Sequence, residues 1–354
     1  MWNGDSKIRV GNKDNEKRKN RAWQFSIIAF LAIVVLIILY ALNVRKSGYT
    51  IRHEFLLDTY VSIAVNGKGS SADRLIDTGF SEIKRIDEKF NPLNNNSILY
   101  KINHADGRWV KIDSETHNLL ERSLYYSNIS NGAFDITLGK LVRIWGFYSL
   151  DSTPISIPSK EEIFQCRSLY GSNKIELEAN KVRLKTNCAL DLGGIAKGYA
   201  VDMAILHMKE KSPDITGYVD AGGDIRIIGK KYGTLPWSIG IRDPRSEDKS
   251  VDVVYLKEGS IATSGDYERY FTYKGKRYCH IFDPKTGFPA RKAISATVIS
   301  KNLVDADALA TTVFILGPIK GLQLLNQLGV DGMIIDENKK IYKTRGFEYH
   351  EKRR

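Results

Sequence analysis

The run AWQFSIIAFLAIVVLIILYALNV, Ala22 to Val44, carries no charged residue. A helix rises about 1.5 Å per residue, so a stretch of this length covers a hydrocarbon core about 30 Å thick. Trp23 and Tyr40 stand near its ends, where amphipathic rings favour the bilayer interface. Residues 1–21 hold seven Lys or Arg against three Asp or Glu, and only Arg45, Lys46 and Arg52 follow closely on the other side. The positive-inside rule then predicts a cytoplasmic basic tail, 1–21, and a single transmembrane anchor, 22–44. A juxtamembrane linker, 45–52, and one globular unit, 53–350, follow on the extracytoplasmic side of the cell membrane. A cleaved signal peptide would have a shorter apolar segment and a small-residue cleavage site; YALNV is a poor one, and no cysteine follows the run for lipid attachment.

The formal net charge is +12, part of it in the tail and part in Lys352, Arg353 and Arg354. No basic stripe interleaved with aromatics accompanies it, which argues against nucleic acid as a partner. Anionic lipid or a phosphorylated ligand suits such a charge better. Cys166, Cys188 and Cys279 show neither a CxxC pair nor zinc-site spacing. Cys166 and Cys188 either pair in a disulfide or remain core thiols.

Beyond the linker, EFLLDTYVSIAV alternates Phe55, Leu57, Thr59, Val61, Ile63 and Val65 as a strand does. ADRLIDTGFSEIKRIDEKF repeats apolar residues at helical spacing, and DSETHNLLERSLYYSNIS predicts a helix capped near Asp113 or Ser114. NKIELEANKVRLKT reads as a hairpin turning at Ala179-Asn180, GYVDAGGDIRIIG as strand-turn-strand, and WSIGIRD as a strand. SIATSGDYERYFTYKGKRYCHIFDPKTGFPA reads as loop-rich. The strand AISATVIS, the helices DADALATTVFIL and PIKGLQLLNQL, and the hairpin GMIIDENKKIYK close the chain. Strands and helices mix without regular βαβ alternation. The expected class is therefore α+β, with mainly antiparallel sheets and packed helices.

Four segments carry polar groups that a plain core does not need. In LVDADALATT, residues 303–312, Asp307 and Thr311 lie one helical turn apart in an otherwise apolar run. Their hard oxygens would converge on a magnesium-like ion. The other reading is a carboxylate that caps the helix and a threonine bonded to its own backbone; Asp305, nearer the helix start, is the better cap candidate. DLGGIAKGYAVD, Asp191 to Asp202, sets two glycines before a helix start and Lys197 in its first turn. Free N–H groups and the positive end of the helix dipole suit a phosphate there. A tight turn with a solvated lysine fits the spacing equally, and the GxxxxGK(S/T) pattern is absent. His280 ends a strand-like run before the turns of Asp283-Pro284 and Thr286-Gly287, a position for a general base or for a hydrogen-bonded loop histidine. In NGAFDITLGKLVRIWGF, residues 131–147, Gly132, Ala133, Phe134 and Asp135 could let backbone and carboxylate approach a ligand, while Trp145 and Phe147 read as core.

Taken in order, NGAFDITLGKLV, DLGGIAKGYAVD, DAGGDI, ATSGDYERYF, HIFDPKTGFP and DADALATTVFILG resemble the motifs of the ApbE family of FAD:protein FMN transferases. The resemblance covers about residues 53–348. It implies FAD as substrate, a divalent metal (magnesium or manganese), and transfer of FMN to a Thr or Ser hydroxyl with release of AMP. The implied partners are target flavoproteins with a D-(S/T)-G-A-(S/T)-like acceptor motif. By motif, Asp307, Thr311 and the main-chain oxygen of Gly194 resemble the metal ligands, and His280 the catalytic base. Leu57, Ala133, Phe134, Asp135, Asp191, Lys197 and Ile281 fall where the family contacts FAD. Two departures touch the flavin region: Leu57-Asp58-Thr59 replaces a frequent Met-Gly-Thr, and Leu93 stands where an aromatic is frequent. The same site with water in place of the acceptor would make a magnesium-dependent FAD pyrophosphatase. A non-catalytic flavin-binding membrane protein is the alternative outside enzymes, and it would not need His280.

Overall fold

The computed structural model describes residues 48–148 and 157–352. The chain divides into two compact units, Met1–Gly48 and Tyr49–Arg354, and the second holds all the described helices and strands. The basic tail and the Ala22–Val44 run lie outside the described residues. Among those residues, no helix is long and apolar enough to cross a membrane.

An eight-stranded sheet organises the unit. Its strands are β1 (Tyr49–Leu56), β2 (Thr59–Asn66), β3 (Gly217–Ala221), β4 (Asp224–Ile228), β5 (Gly259–Gly265), β6 (Ser295–Ser300), β7 (Asp331–Ile335) and β8 (Ile341–Lys343). Each pairs antiparallel with the next in sequence. The expected α+β class with antiparallel sheet is what forms. Strand pairing begins at Tyr49, inside the stretch 45–52.

Successive side chains leave a strand on opposite faces, and the core divides accordingly. Ile228, Ala262, Ala296, Val298 and Ile334 join one large apolar cluster. Their neighbours Ile227, Ile261, Ile299, Met333 and Ile335 join another. The large cluster includes residues of α1 (Ser70–Phe90), α2 (Ser114–Ile129), α3 (Ala196–Lys211) and α4 (Leu303–Leu316). The second cluster is closed by the hairpin Trp237–Asp243 and Ser246–Leu256. A third, aromatic cluster forms around Trp145, which is 0% exposed, with Phe147, Phe271, Tyr278 and Phe282. Trp145 and Phe147 are thus core, as their sequence suggests.

Several readings hold in detail. The helix after Asp113 is capped by that side chain, which accepts from Thr116 N. The strands Ile175–Glu178 and Lys181–Leu184 turn at Ala179-Asn180. All three cysteines are free and buried, so the thiol alternative is the one realised.

Two readings fail. EFLLDTYVSIAV is not one strand but the hairpin β1–β2, turning at Leu57-Asp58 with φ of 55° and 57°. A two-residue turn with both φ positive normally calls for Asn-Gly or Asp-Gly, and Leu-Asp hides it. The turn also reverses facing: Phe55 pairs with Tyr60 on the exposed side, while Val61, Ile63 and Val65 are fully buried. SIATSG, read within a loop-rich stretch, supplies most of β5, a central strand. Its small polar residues are poor strand formers by propensity. They are paired on both sides over their first half, so burial and cross-strand partners override that preference.

Candidate active site

α4 is the most enclosed helix of the unit. Ala306, Ala308, Leu309, Ala310, Val313 and Phe314 are all buried, so it is apolar around its whole circumference, as an interior helix must be. A polar side chain on such a helix needs a partner. Thr312 bonds back to the Ala308 carbonyl at 2.7 Å. Asp305 does not cap its helix, contrary to the sequence reading. Arg122 and the Tyr126 hydroxyl of α2 hold it instead.

The cap comes from α3. Both carboxylate oxygens of Asp202 accept from the first N–H groups of α4, Leu303 and Val304, each at 3.0 Å. Asp307 acts in the other direction: its Oδ2 accepts from Gly198 N at 2.9 Å, in the first turn of α3. Neither helix has a side-chain cap from its own N-cap residue. The crossing is close enough that a Cβ on Gly198 would sit 2.5 Å from the Leu303 carbonyl oxygen. The start of α3 therefore gives one of its free N–H groups to Asp307, so it is not left wholly for a phosphate.

Above this crossing opens a cavity of about 680 Å³. Leu57, Ala133, Phe134, Asp135, Asp191, Gly194, Lys197, His280, Ile281, Asp307 and Thr311 all line it. The candidate residues picked out from sequence thus reach one place from segments spread over the chain, with the exception of Gly132, which does not line it. Leu93 lines it as well, and so do Asp58 and Thr59. The turn at Leu57-Asp58 is held by Asp87, whose Oδ2 accepts from Leu57 N at 3.2 Å.

Lys197 Nζ lies 2.6 Å from Asp224 Oδ2. Burial alone would lower the ammonium, but Asp224 and then Asp307 outweigh it and the pKa is raised. Burial, reinforced by Asp224, pushes the Asp307 carboxyl up to about 7, against the pull of Lys197 and the Gly198 N–H. His280 Nδ1 is 3.2 Å from the Arg269 carbonyl oxygen. A carbonyl only accepts, so Nδ1 carries the proton and Nε2 is left as the acceptor. Burial, with the Arg269 charge and then Lys197, lowers His280 to about 4. Its ring is therefore neutral at ordinary pH and able to take a proton.

The donors around Asp307 suit a hard divalent cation. Asp307 Oδ1 is not used by the cap. Thr311 Oγ1 bonds only to Ser264 Oγ, at 3.1 Å, and a Cβ on Gly194 would lie 3.4 Å from Thr311 Oγ1. One carboxylate and one hydroxyl a helical turn apart fit magnesium, which keeps several positions for other oxygens, phosphate and water. Among the described residues, no cluster of three or more His, Cys, Asp or Glu side chains is placed to hold a metal ion.

Sequence reasoning missed Asp224, Glu268, Thr263 and Ser264, which also line the cavity. DAGGDI and ATSGDYERYF contributed to the family resemblance without yielding a site residue. The signal in DAGGDI is its turn. Gly222 and Gly223 have φ of 65° and 95°, and a Cβ on Gly222 would meet Thr59 Oγ1 at 2.4 Å. Only glycine brings that hairpin so close to β2 and sets Asp224 at the cavity floor.

A model of the ApbE family matches residues 57–334. The chain is 33% identical over 315 residues to the FAD:protein FMN transferase of Treponema pallidum, covering 83% of this chain and 86% of that one. With the FAD:protein FMN transferase of Vibrio cholerae it is 30% identical over 274 residues, covering 75% and 81%. Among solved structures, the ApbE protein from Thermotoga maritima superposes with a TM-score of 0.83 at 38% identity, covering 86% of this chain and all of that one. The flavin transferase ApbE from Vibrio cholerae gives 0.76 at 25% identity, with the same coverage.

The capping exchange makes a stability prediction. Asp202→Ala removes two charge-assisted bonds to α4 and leaves the Arg226 guanidinium, which pairs with Asp202, without its partner. It should cost about 2 to 3 kcal/mol of unfolding free energy. Urea unfolding at unchanged m-value checks this; an unchanged midpoint would show that the cap contributes nothing.

Proposed function

The chain belongs to the ApbE family, and from that membership we propose that it is a membrane-anchored FAD:protein FMN transferase. It moves FMN from FAD to a Thr or Ser hydroxyl of a target flavoprotein and releases AMP. The observation that carries this reading is the meeting, in one cavity, of a neutral histidine with Nε2 available and a lysine-carboxylate floor.

In this reading FAD lies along Leu57, Ala133, Phe134, Asp135, Asp191 and Ile281. Its pyrophosphate points to Lys197 and the start of α3, where a positive dipole end favours an anion. His280 Nε2 takes the proton of the acceptor hydroxyl. The acceptor oxygen bonds the FMN phosphorus, the bond from that phosphorus to the bridging oxygen breaks, and AMP leaves with that oxygen. Asp307, Thr311 and the Gly194 carbonyl would hold a magnesium or manganese ion, which supplies charge neutralisation at the pyrophosphate and polarises the phosphorus. Lys197 adds fixed positive potential to the same oxygens. Targets with a D-(S/T)-G-A-(S/T)-like motif fit the acceptor role.

The direct test incubates purified protein with FAD, Mg2+ and an acceptor domain bearing that motif, read by in-gel flavin fluorescence. A fluorescent acceptor band is expected, abolished by EDTA. His280→Ala should lower the transfer rate by about 100-fold or more. Free FMN with an unlabelled acceptor would mean hydrolysis instead, and undiminished labelling by the His280 variant would remove the base from the mechanism.

The acid limb follows from the same histidine. A base works only when unprotonated, so a lowered pKa carries activity to lower pH. At saturating Mg2+, which would keep the Asp307 carboxylate ionised, the profile of kcat/KM should fall near pH 4 rather than near the usual histidine value of about 6.5. A limb at 6.5 that further Mg2+ does not move would contradict the burial of that ring.

We also read Ala22–Val44 as the anchor, with the catalytic unit on the extracytoplasmic side of the cell membrane, supported by the uncharged run and the basic tail before it. Tethering would raise the local concentration of enzyme near membrane-attached acceptors. Protease added to intact spheroplasts should degrade the catalytic unit and spare an epitope on residues 1–21. Protection of the catalytic unit would reverse the topology.

A further inference from the structure

Asp224 floors the cavity but takes no step in the proposed transfer, yet among the described residues it is one of the most deeply buried charged groups, at 2% exposure. The Gly222-Gly223 turn delivers it, and Asp220 fixes that turn by accepting from Gly223 N at 2.7 Å. Asp224 Oδ1 accepts from Thr263 N at 3.0 Å, and Oδ2 pairs with Lys197. Both oxygens are thus engaged, one by the main chain of β5 and one by the lysine.

Lys197 needs such a partner. It sits in the first turn of α3, at the positive end of the helix dipole, where a cation is unfavourable. Three carboxylates act on it: Asp224 in direct contact, then Asp307, which the next residue along the helix, Gly198, already holds through its N–H, and more weakly Glu268. A lysine without Asp224 would turn to Asp307, and an ammonium on that carboxylate competes with any cation for the same oxygen.

We infer that Asp224 is a positioning residue that keeps the Lys197 ammonium off Asp307, leaving the free oxygen of Asp307 for the divalent cation. The inference rests on the metal reading of Asp307 and adds to it. It explains why a site that must gather positive charge around a pyrophosphate contains a second, fully buried carboxylate. Asp224 neutralises the lysine while the cavity is empty and sets the direction from which it meets the phosphate.

The test measures metal affinity rather than turnover. Mn2+ binding to the full-length protein, without FAD, is followed by titration with electron paramagnetic resonance detection. Asp224→Asn keeps the size of the side chain and an oxygen for the Thr263 N–H and removes only the charge. It should weaken Mn2+ binding by about 10-fold, as expected when one cation faces another over a shared carboxylate. Adding Lys197→Met to that variant removes the competitor and should restore affinity to within about 3-fold of the wild type. Wild-type affinity in Asp224→Asn would overturn the inference. So would a double variant as weak as Asp224→Asn, since that pattern belongs to a distorted site rather than a competing lysine. Wild-type protein that binds no Mn2+, or binds it equally after Asp307→Asn, would overturn the metal reading itself.

Discussion

Two helices cap each other where they cross. Asp202 of α3 accepts from the first turn of α4, and Asp307 of α4 accepts from the first turn of α3. The exchange satisfies orphan donors at both helix starts, which would otherwise be buried without partners. It requires Gly198, because the two backbones come too close for any side chain there. The cavity stands on this crossing. It fixes Asp307 and Thr311 on one side and Lys197 on the other, without a flexible loop between them.

The sheet does the remaining positioning. Its strands follow one another in sequence order, and the functional segments are the insertions and turns between them. The Leu57-Asp58 turn belongs to the β1–β2 hairpin and the Gly222-Gly223 turn to the β3–β4 hairpin. His280 lies beyond the hairpin Tyr270–Tyr273 and Lys276–Cys279, whose Phe271 and Tyr278 are packed into the aromatic cluster around Trp145. In the proposed chemistry, rigid packing behind His280 would matter because a proton acceptor works only when held in one orientation. The bond from Nδ1 to the Arg269 carbonyl supplies that orientation, and the charge of Arg269 nearby helps keep the ring neutral.

What the sequence revealed was local. The helix PIKGLQLLNQL runs from Pro318 to Leu328, because proline suits the first helical position and Gly329 ends it in the left-handed region. The hairpin at Ala179-Asn180 and the helix behind Asp113 were equally legible. The candidate site residues came from ordered motifs, and the cavity gathers them except Gly132. What the sequence concealed depends on partners far along the chain. Asp202 and Leu303 are 101 positions apart, Asp307 and Gly198 are 109. No periodicity announces that an aspartate in one helix caps another, so Asp305 looked like the cap, and nothing in the strand-turn-strand GYVDAGGDIRIIG singled out Asp224. The β1–β2 turn was hidden for a different reason: its residues adopt a conformation that their side chains do not favour.

The α3–α4 crossing uses one oxygen of Asp307 for Gly198 N; in the proposed chemistry the other would hold a divalent cation together with Thr311 and the Gly194 carbonyl, and that chemistry depends on it. Crystals grown with FAD and Mn2+ test it by the anomalous signal of manganese. A peak is expected about 2.0 to 2.3 Å from Asp307 Oδ1, Thr311 Oγ1 and the Gly194 oxygen, with the Gly198 N–H still bonded to Asp307 Oδ2. A peak held by other residues, or a fully bound FAD with no peak near Asp307, would contradict it.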